Sequence, residues 1–206
     1  MIHPWDRRAV LGSLVGISGL GLLRPARVLA QVCSPTNSDI LGPFYTAGAP
    51  NRSQIAGPEE PGDSLVVRGQ VLDQDCRTPL RRALLDIWQA DANGQYHYED
   101  DAFRLRGRLL TDDSGSFVLT TVVPGRYKLN GDYRPAHIHF MLRHPRHQPL
   151  TTQLYFKGDP FLGAHDSCGD ECDSNDPSRI LDLKKAEAGR GLATDVKIIL
   201  RAQRAS

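Results

Sequence analysis

Residues 134–140 read Arg134-Pro135-Ala136-His137-Ile138-His139-Phe140, and the apolar residues around the two histidines indicate a β-strand. On a strand, side chains two positions apart project from the same face. His137 and His139 therefore lie on one face, and Ile138 and Phe140 lie on the other. Two imidazoles held together on one face form half of a metal site. The rest of the chain has to supply the other half.

Residues 31–64 look irregular, and the chain after them reads as a series of short strands separated by turn signals such as Asp112-Asp113-Ser114-Gly115. The predicted strands cover residues 64–72, 82–89, 116–123, 136–142, 151–156 and 195–200. Residues 181–188 have a helical pattern. Short strands with frequent turns predict an all-β fold, an antiparallel β-sandwich of the immunoglobulin or prealbumin-like type with long loops around the site.

The composition is that of one ordinary soluble domain, with 206 residues, 24% charged and 40% hydrophobic residues. The formal net charge of +1 lacks the excess of basic residues that is typical of nucleic-acid-binding proteins. The sequence has no glycine-rich phosphate loop before a helix and no Gly-x-Ser-x-Gly motif. These features argue against a nucleotide cofactor and against an α/β-hydrolase.

Residues 1–30 have the order of an export signal. Arg7-Arg8 precede an apolar run, Ala9 to Leu23, and Val28-Leu29-Ala30 offers a cleavage site. The paired arginines indicate the twin-arginine route. The alternative is an uncleaved anchor, but fifteen residues with four glycines are short against the roughly 20 needed to span a bilayer. We therefore expect a twin-arginine-type signal peptide, an exported (periplasmic or extracellular) domain over 31–206, and no stable membrane span after cleavage.

Export changes how the four cysteines are interpreted, because an even number in an oxidising compartment indicates disulfides. Three pairings are possible, and the sequence alone does not choose among them. We favour Cys33–Cys76 with Cys168–Cys172, because the second pair lies in one loop rich in Asp and Gly. Thiolate metal ligation is the alternative, but Cys-x3-Cys without a second close pair is a poor zinc signature.

Two tyrosines stand where a predicted strand gives way to a loop. Tyr96 follows one glycine turn, and Tyr127 follows another, ten residues before His137. Only a strongly Lewis-acidic ion such as ferric iron would deprotonate a phenol at neutral pH, and phenolate and imidazole both suit iron. Taken alone, each tyrosine is more simply a packed residue with a hydrogen-bonded hydroxyl. Tyr98 and Tyr133 are rival ligands.

Several further stretches complete a pattern with the histidine strand. They are Gly42-Pro43-Phe44-Tyr45, Asp86-Ile87-Trp88-Gln89-Ala90, Gly94-Gln95-Tyr96, Pro124-Gly125-Arg126-Tyr127, Leu150-Thr151-Thr152-Gln153-Leu154-Tyr155-Phe156 and Gly158-Asp159-Pro160. Together they resemble the intradiol ring-cleavage dioxygenases, most closely the catalytic (beta) subunit type of protocatechuate 3,4-dioxygenase. The resemblance covers roughly residues 40–204, and its motifs are specific as a set.

The resemblance implies a ligand set for a non-haem Fe(III), namely Tyr96, Tyr127, His137 and His139. It implies that a catechol-type substrate binds as a dianion while Tyr127 leaves its position. Arg134 is then the cation beside the substrate, and Gln153 is a pocket residue near the reacting oxygens. The implied reaction uses O2 to open the ring between the two hydroxylated carbons, which gives a muconate-type dicarboxylic acid.

Two other functions remain open from the sequence. One is a non-catalytic exported β-sandwich that binds a metal or another ligand. The other is a zinc hydrolase that uses His137 and His139 with a third ligand such as Asp132 or Asp159, which would leave the two tyrosines unexplained. The predicted partners are a catechol-type small molecule and O2, with no nucleic acid, and a homo-oligomer is left open.

Overall fold

The structure is a computed structural model that describes residues 33–99, 102–129, 131–186 and 191–203. The predicted signal peptide lies outside these residues. Within the four ranges, no helix has the length and apolar character that crossing a membrane requires.

The described chain forms eleven strands and three short 3-10 helices. The strands are β1 (Ser64–Asp73), β2 (Leu84–Gln89), β3 (Arg106–Leu110), β4 (Ser116–Val122), β5 (Lys128–Leu129), β6 (Asp132–Tyr133), β7 (His137–Arg143), β8 (Leu150–Phe156), β9 (Ile180–Leu181), β10 (Lys184–Lys185) and β11 (Leu192–Leu200). The 3-10 helices are Gly163–His165, Gly169–Glu171 and Pro177–Arg179.

Two sheets form the sandwich, one with strand order β10-β11-β1-β4 and one with order β3-β2-β7-β8-β9, while β5 and β6 pair separately. The predicted all-β sandwich is confirmed. The sheets are mixed and not purely antiparallel, because β1 pairs with β11 and β8 with β9 in parallel. A parallel pair needs a long connection, and residues 157–179 provide it between β8 and β9.

One face of each central strand builds the core between the sheets. The buried residues are Leu85 and Ile87 from β2, Ile138, Phe140 and Leu142 from β7, Val67 and Val71 from β1, and Ile198 from β11. Each large apolar side chain buried in this way contributes about 1.5–3 kcal/mol to folding. Because the core takes the even-numbered positions of β7, its odd-numbered histidines face away from the core, as the sequence predicted.

Two differences from the sequence-based prediction have a clear physical reason. The strand β3 was missed because Arg106-Gly107-Arg108 conceals the alternation, although the strand pairs with β2 over its whole length. The predicted helix over 181–188 is wrong for its described residues, because Leu181 ends β9 and β10 pairs with β11. Backbone pairing with neighbouring strands here overrides a weak local helix propensity.

The two disulfides are those favoured from the sequence. Cys33 is bonded to Cys76 and Cys168 to Cys172, with Cα–Cα distances of 5.8 and 5.7 Å. The first bond ties the start of the described chain to the turn after β1. The second closes a small loop within the connection between β8 and β9.

The strand register brings three connections to one end of the second sheet. Gln89 at the end of β2 pairs with Ile138 near the start of β7, and His137 pairs with Tyr155 near the end of β8. The loops that follow β2 and β8 and the loop that precedes β7 therefore emerge together. This is the end of the sheet at which both histidines lie.

Candidate metal centre

His137 and His139 are each 2% exposed on the outer face of the second sheet. Their Nε2 atoms lie 3.2 Å apart. The Nδ1–H of His137 donates to the Pro135 carbonyl at 2.6 Å, and a carbonyl can only accept. That bond fixes the tautomer of His137 and leaves its Nε2 lone pair available to a metal.

Tyr96 supplies a third donor atom at the same point. Its hydroxyl oxygen lies 3.1 Å from Nε2 of His137 and 3.2 Å from Nε2 of His139. The three atoms form a nearly equilateral triangle. Donors bonded at about 2.1 Å to one ion, at roughly right angles, are about 3 Å apart. The chemistry and the spacing of this donor set therefore fit one metal ion.

Burial sets the protonation of the three groups. It lowers the pKa of His137 to about 3, with a smaller contribution from the charge of Arg134. Burial, followed by His137 and Arg134, also holds the pKa of His139 well below its usual value. Both imidazoles are thus neutral, the form that binds metals. Burial, with Tyr127 as the next cause, raises the pKa of Tyr96, so only a strong Lewis acid would convert this phenol to a phenolate.

Tyr127 belongs to the same cluster but stands beside the triangle. Its ring centroid is 5.4 Å from that of Tyr96 and 5.8 Å from that of His137. Among the described residues, no hydrogen bond joins its hydroxyl to the three donor atoms. The structure thus brings all four predicted ligands together and packs three of them more closely than the fourth.

Asp91 fixes the loop that carries Tyr96, and the sequence analysis missed it. Its Oδ1 accepts hydrogen bonds from the backbone N–H groups of Asn93 and Gln95, both at 2.9 Å. Its backbone carbonyl accepts one from Gly125 at 2.7 Å, two residues before Tyr127. One residue therefore ties together the two loops that carry the tyrosines.

Aromatic side chains enclose the triangle on two sides. The Phe44 ring stacks on Tyr96 with centroids 4.3 Å apart, and the Trp88 ring stacks on His139 at 4.6 Å. Gly42 has a φ of +71°, and a Cβ there would lie 3.3 Å from the His139 ring. The glycine lets the chain pass close over His139 before Phe44 covers Tyr96. The motifs that carried the family resemblance therefore form the walls of the site.

Arg134 and Gln153, the other predicted site residues, are fully buried nearby. In the described structure, Nη1 of Arg134 is buried without a hydrogen-bond partner. Gln153 is opposite His139 in the sheet. Its Nε2 donates to the Ile40 carbonyl at 2.9 Å, and its Oε1 lies 3.1 Å from the Tyr155 hydroxyl oxygen. A role for Gln153 near reacting oxygens stays a prediction.

The rival ligands lie elsewhere. Tyr98 and Tyr133 are 45% and 37% exposed. Asp159 uses Oδ2 to hold the Ala136 N–H and the Arg126 guanidinium, and Asp132 accepts from the N–H of Tyr133. Among the described residues, no three His, Cys, Asp or Glu side chains could hold a metal together. The zinc alternative is therefore left without its third ligand in that part of the chain.

Known proteins match this fold and sequence. The family model described as Dioxygenase matches residues 40–195. Catechol 1,2-dioxygenase 2 of Acinetobacter lwoffii is 36% identical over 66% of this chain and 57% of its own length. The protocatechuate 3,4-dioxygenase beta chain of Burkholderia cepacia is 32% identical over 75% of this chain and 72% of its own. The crystal structure of 3-chlorocatechol 1,2-dioxygenase from Rhodococcus opacus 1CP aligns with a TM-score of 0.73 and 35% identity, over 82% of this chain and 73% of that chain.

The chain therefore belongs to the intradiol ring-cleavage dioxygenase family, as its motifs predicted. It spans between 48% and 60% of the length of several curated relatives, including the A. lwoffii enzyme and the intradiol ring-cleavage dioxygenase prcA of Aspergillus niger.

Gly94→Ala tests how the tyrosine loops are held. Gly94 has a φ of +83°, and an added Cβ would lie 2.0 Å from the Arg126 carbonyl oxygen, next to Tyr127. We expect the variant to lose about 3 kcal/mol of stability and to bind iron at least about tenfold more weakly, since second-sphere changes commonly cost that much. Denaturant unfolding and iron content per chain measure both effects.

Gly158→Ala is the matched control. Gly158 has a φ of +85°, but nothing lies within 4 Å of an added Cβ. It should lose only about 1 kcal/mol, the cost of the backbone conformation, and should keep its iron. Equal losses in the two variants would contradict the proposed backbone packing between the tyrosine loops.

Proposed function

We propose that this protein is an intradiol dioxygenase that binds one non-haem ferric ion and opens a catechol ring between its two hydroxylated carbons, which yields a muconate-type dicarboxylic acid. The observation that carries the proposal is the triangle of donor atoms from Tyr96, His137 and His139, 3.1–3.2 Å apart, in a chain of this family. Tyr127, whose ring packs against the triangle, is the proposed fourth ligand.

The bound ferric ion would supply Lewis acidity, which stabilises anionic oxygen ligands and activates the catecholate toward O2. Each residue has a separate task. His137 and His139 are already neutral, and the bond to the Pro135 carbonyl keeps the proton of His137 on Nδ1, so that its Nε2 can bind a metal without losing a proton. Tyr96 would hold the metal as a phenolate and would remain in place, because Phe44 and the Asp91 loop hold it.

Tyr127 is the ligand best placed to move. Its hydroxyl makes no hydrogen bond to the three donor atoms among the described residues, whereas the Tyr96 hydroxyl lies 3.1 and 3.2 Å from the two histidine Nε2 atoms. A tyrosinate oxygen is a base, so Tyr127 would hold the metal in the resting protein and would accept one of the two hydroxyl protons of the catechol as the substrate binds, while the other passes to solvent. This gives Tyr127 two roles, as a ligand in the resting protein and as a proton acceptor during substrate binding.

Arg134 provides a permanent positive charge in the site. Its Nη1 is buried and has no protein partner among the described residues, so it can donate to a substrate oxygen. Arg134 is fully buried, and a buried guanidinium stabilises negative charge far better than it would in solvent. The substrate dianion and the dicarboxylate product both carry such charge.

Tyr96→Phe should remove most of the visible tyrosinate-to-iron absorption, which should tint the iron-loaded protein burgundy. We also expect kcat/KM to fall at least about 100-fold, because a ligand and its charge are lost. The matched control is Tyr98→Phe, an exposed tyrosine two residues away, which should change either quantity less than about twofold. The account is wrong if the iron-loaded parent protein is colourless or if the two variants behave alike.

The reaction itself is tested by oxygen uptake with a panel of catechols and by identification of the product. Relatives are named for catechol, 3-chlorocatechol and protocatechuate, so these and hydroxyquinol form the first panel. Cleavage between the hydroxylated carbons supports the proposal. Iron-loaded protein that consumes no oxygen with any of them would favour the non-catalytic binding protein.

We also propose that the protein is exported by the twin-arginine route after folding. The support is Arg7-Arg8 before the apolar run in the sequence, together with two disulfides, which persist in oxidising compartments.

Replacing Arg7 and Arg8 by Lys should abolish secretion and leave the unprocessed precursor inside the cell. The control replaces Arg24 and Arg27 by Lys and should still yield a mature chain that begins at Gln31 in mass spectra. Equal export of both variants would contradict the route.

A further inference from the structure

The guanidinium of Arg134 makes two hydrogen bonds to the carboxylate of Asp166, a residue that lies in none of the motifs of the sequence analysis. Nε of Arg134 donates to Oδ1 at 3.0 Å, and Nη2 donates to Oδ2 at 3.1 Å. Both side chains are almost completely buried. Two parallel bonds between a guanidinium and a carboxylate fix the plane of the guanidinium as well as its position.

Asp166 is itself fixed by the small disulfide loop that follows it. Its Oδ1 also accepts the backbone N–H of Cys168 at 3.0 Å, and its carbonyl accepts that of Gly169 at 2.9 Å. The disulfide to Cys172 closes this loop. Both cysteines are half-buried, and exposed residues lie between them, so a reductant can reach the bond. A residue of the disulfide, Cys168, is therefore hydrogen-bonded directly to the Asp166 carboxylate that holds Arg134.

The other end of the disulfide loop is anchored to a second buried arginine. Arg179 donates to the carbonyl of Asp173, the residue after Cys172, and it pairs with Asp39. The Tyr155 hydroxyl donates to that same Asp39 carboxylate at 2.8 Å and accepts from Nη2 of Arg134 at 3.2 Å. The loop is thus connected to Arg134 along two routes, through Asp166 and through Tyr155.

These contacts use Nε and Nη2 of Arg134 and leave Nη1, which is buried and has no partner among the described residues. We propose that the Cys168–Cys172 loop, acting through Asp166, positions Arg134 so that Nη1 points at the substrate, and that opening this disulfide lowers activity while the metal stays bound. This inference rests on the proposed function of Arg134. A counter-ion that merely satisfied a buried arginine would affect stability alone.

A double-mutant cycle tests the positioning role. Asp166→Asn should lower kcat/KM about 10- to 100-fold, as small displacements of a substrate-orienting group do. Combined with Arg134→Lys, it should lower activity no further than Arg134→Lys alone, because the two residues act as a unit. The control is Asp170→Asn, an exposed residue of the same loop, which should change kcat/KM less than about twofold. Additive losses in the double variant, or equal effects of the two Asp→Asn changes, would overturn the proposal.

The two disulfides provide a second matched comparison. Replacing Cys168 and Cys172 by Ala should lower kcat/KM about tenfold without changing the iron content or the visible band. Replacing Cys33 and Cys76 by Ala should lower the unfolding midpoint more, because that bond closes a separation of 43 residues rather than 4, while kcat/KM changes less than about twofold. If loss of activity follows loss of stability in both variants, the loop has only a structural role.

A measurement independent of turnover separates this inference from the proposed function. In the full chain loaded with diamagnetic gallium, the Nε–H of Arg134 should give a sharp, slowly exchanging NMR signal, which should broaden in Asp166→Asn and in the variant without Cys168–Cys172. An unchanged signal in both would refute the positioning role. The expected broadening in a protein that cleaves no catechol would support the positioning role and refute the proposed function.

Discussion

The site depends on the register of β7 between β2 and β8. A slip of one residue would turn His137 and His139 into the core and expose Ile138 and Phe140. Several interactions oppose such a slip, because Phe140 packs in the main core while Trp88 stacks on His139 from the neighbouring strand. The same alternation that builds the core therefore also presents two imidazoles on the outer face.

Burial then gives this arrangement the properties of the proposed metal-binding site. It keeps the two imidazoles neutral and makes it harder for Tyr96 to lose its proton without help. The histidines of such a site resist protonation. A strongly charged cation suits the site, because it can bind the neutral imidazoles and stabilise the phenolate form of the tyrosine. Arg134 adds a fixed positive charge beside the metal centre, and this charge has to be held by Asp166 and Tyr155 because little water is available to solvate it.

The sequence predicted the parts of the structure that depend on local pattern. The histidine strand, the core face of β2, the disulfide pairs and the two tyrosine positions could all be inferred, since each depends on alternation, spacing or a family motif. The strand β3 was missed because arginines and a glycine conceal its alternation. The segment near Lys184 was assigned to a helix because its pairing with β11 depends on residues far away in the chain.

The supporting residues of the site could not be predicted for a related reason. Asp91 and Asp166 act through backbone N–H groups and through arginines brought close by the fold, and an isolated aspartate in a loop carries no such signal. Phe44 lay within a quoted motif, but its contact with Tyr96 required the structure. Sequence pattern thus predicted the groups proposed to carry the chemistry, whereas the groups that hold them in place became visible only in three dimensions.

The most direct test of the central claim is a crystal structure of the iron-loaded protein with an anomalous difference map at the iron edge. The account predicts a single iron, bonded at about 2.0–2.2 Å to the hydroxyl oxygens of Tyr96 and Tyr127 and to Nε2 of His137 and His139. An anomalous peak at another place, or an iron bound by the two histidines without either tyrosine, would contradict it.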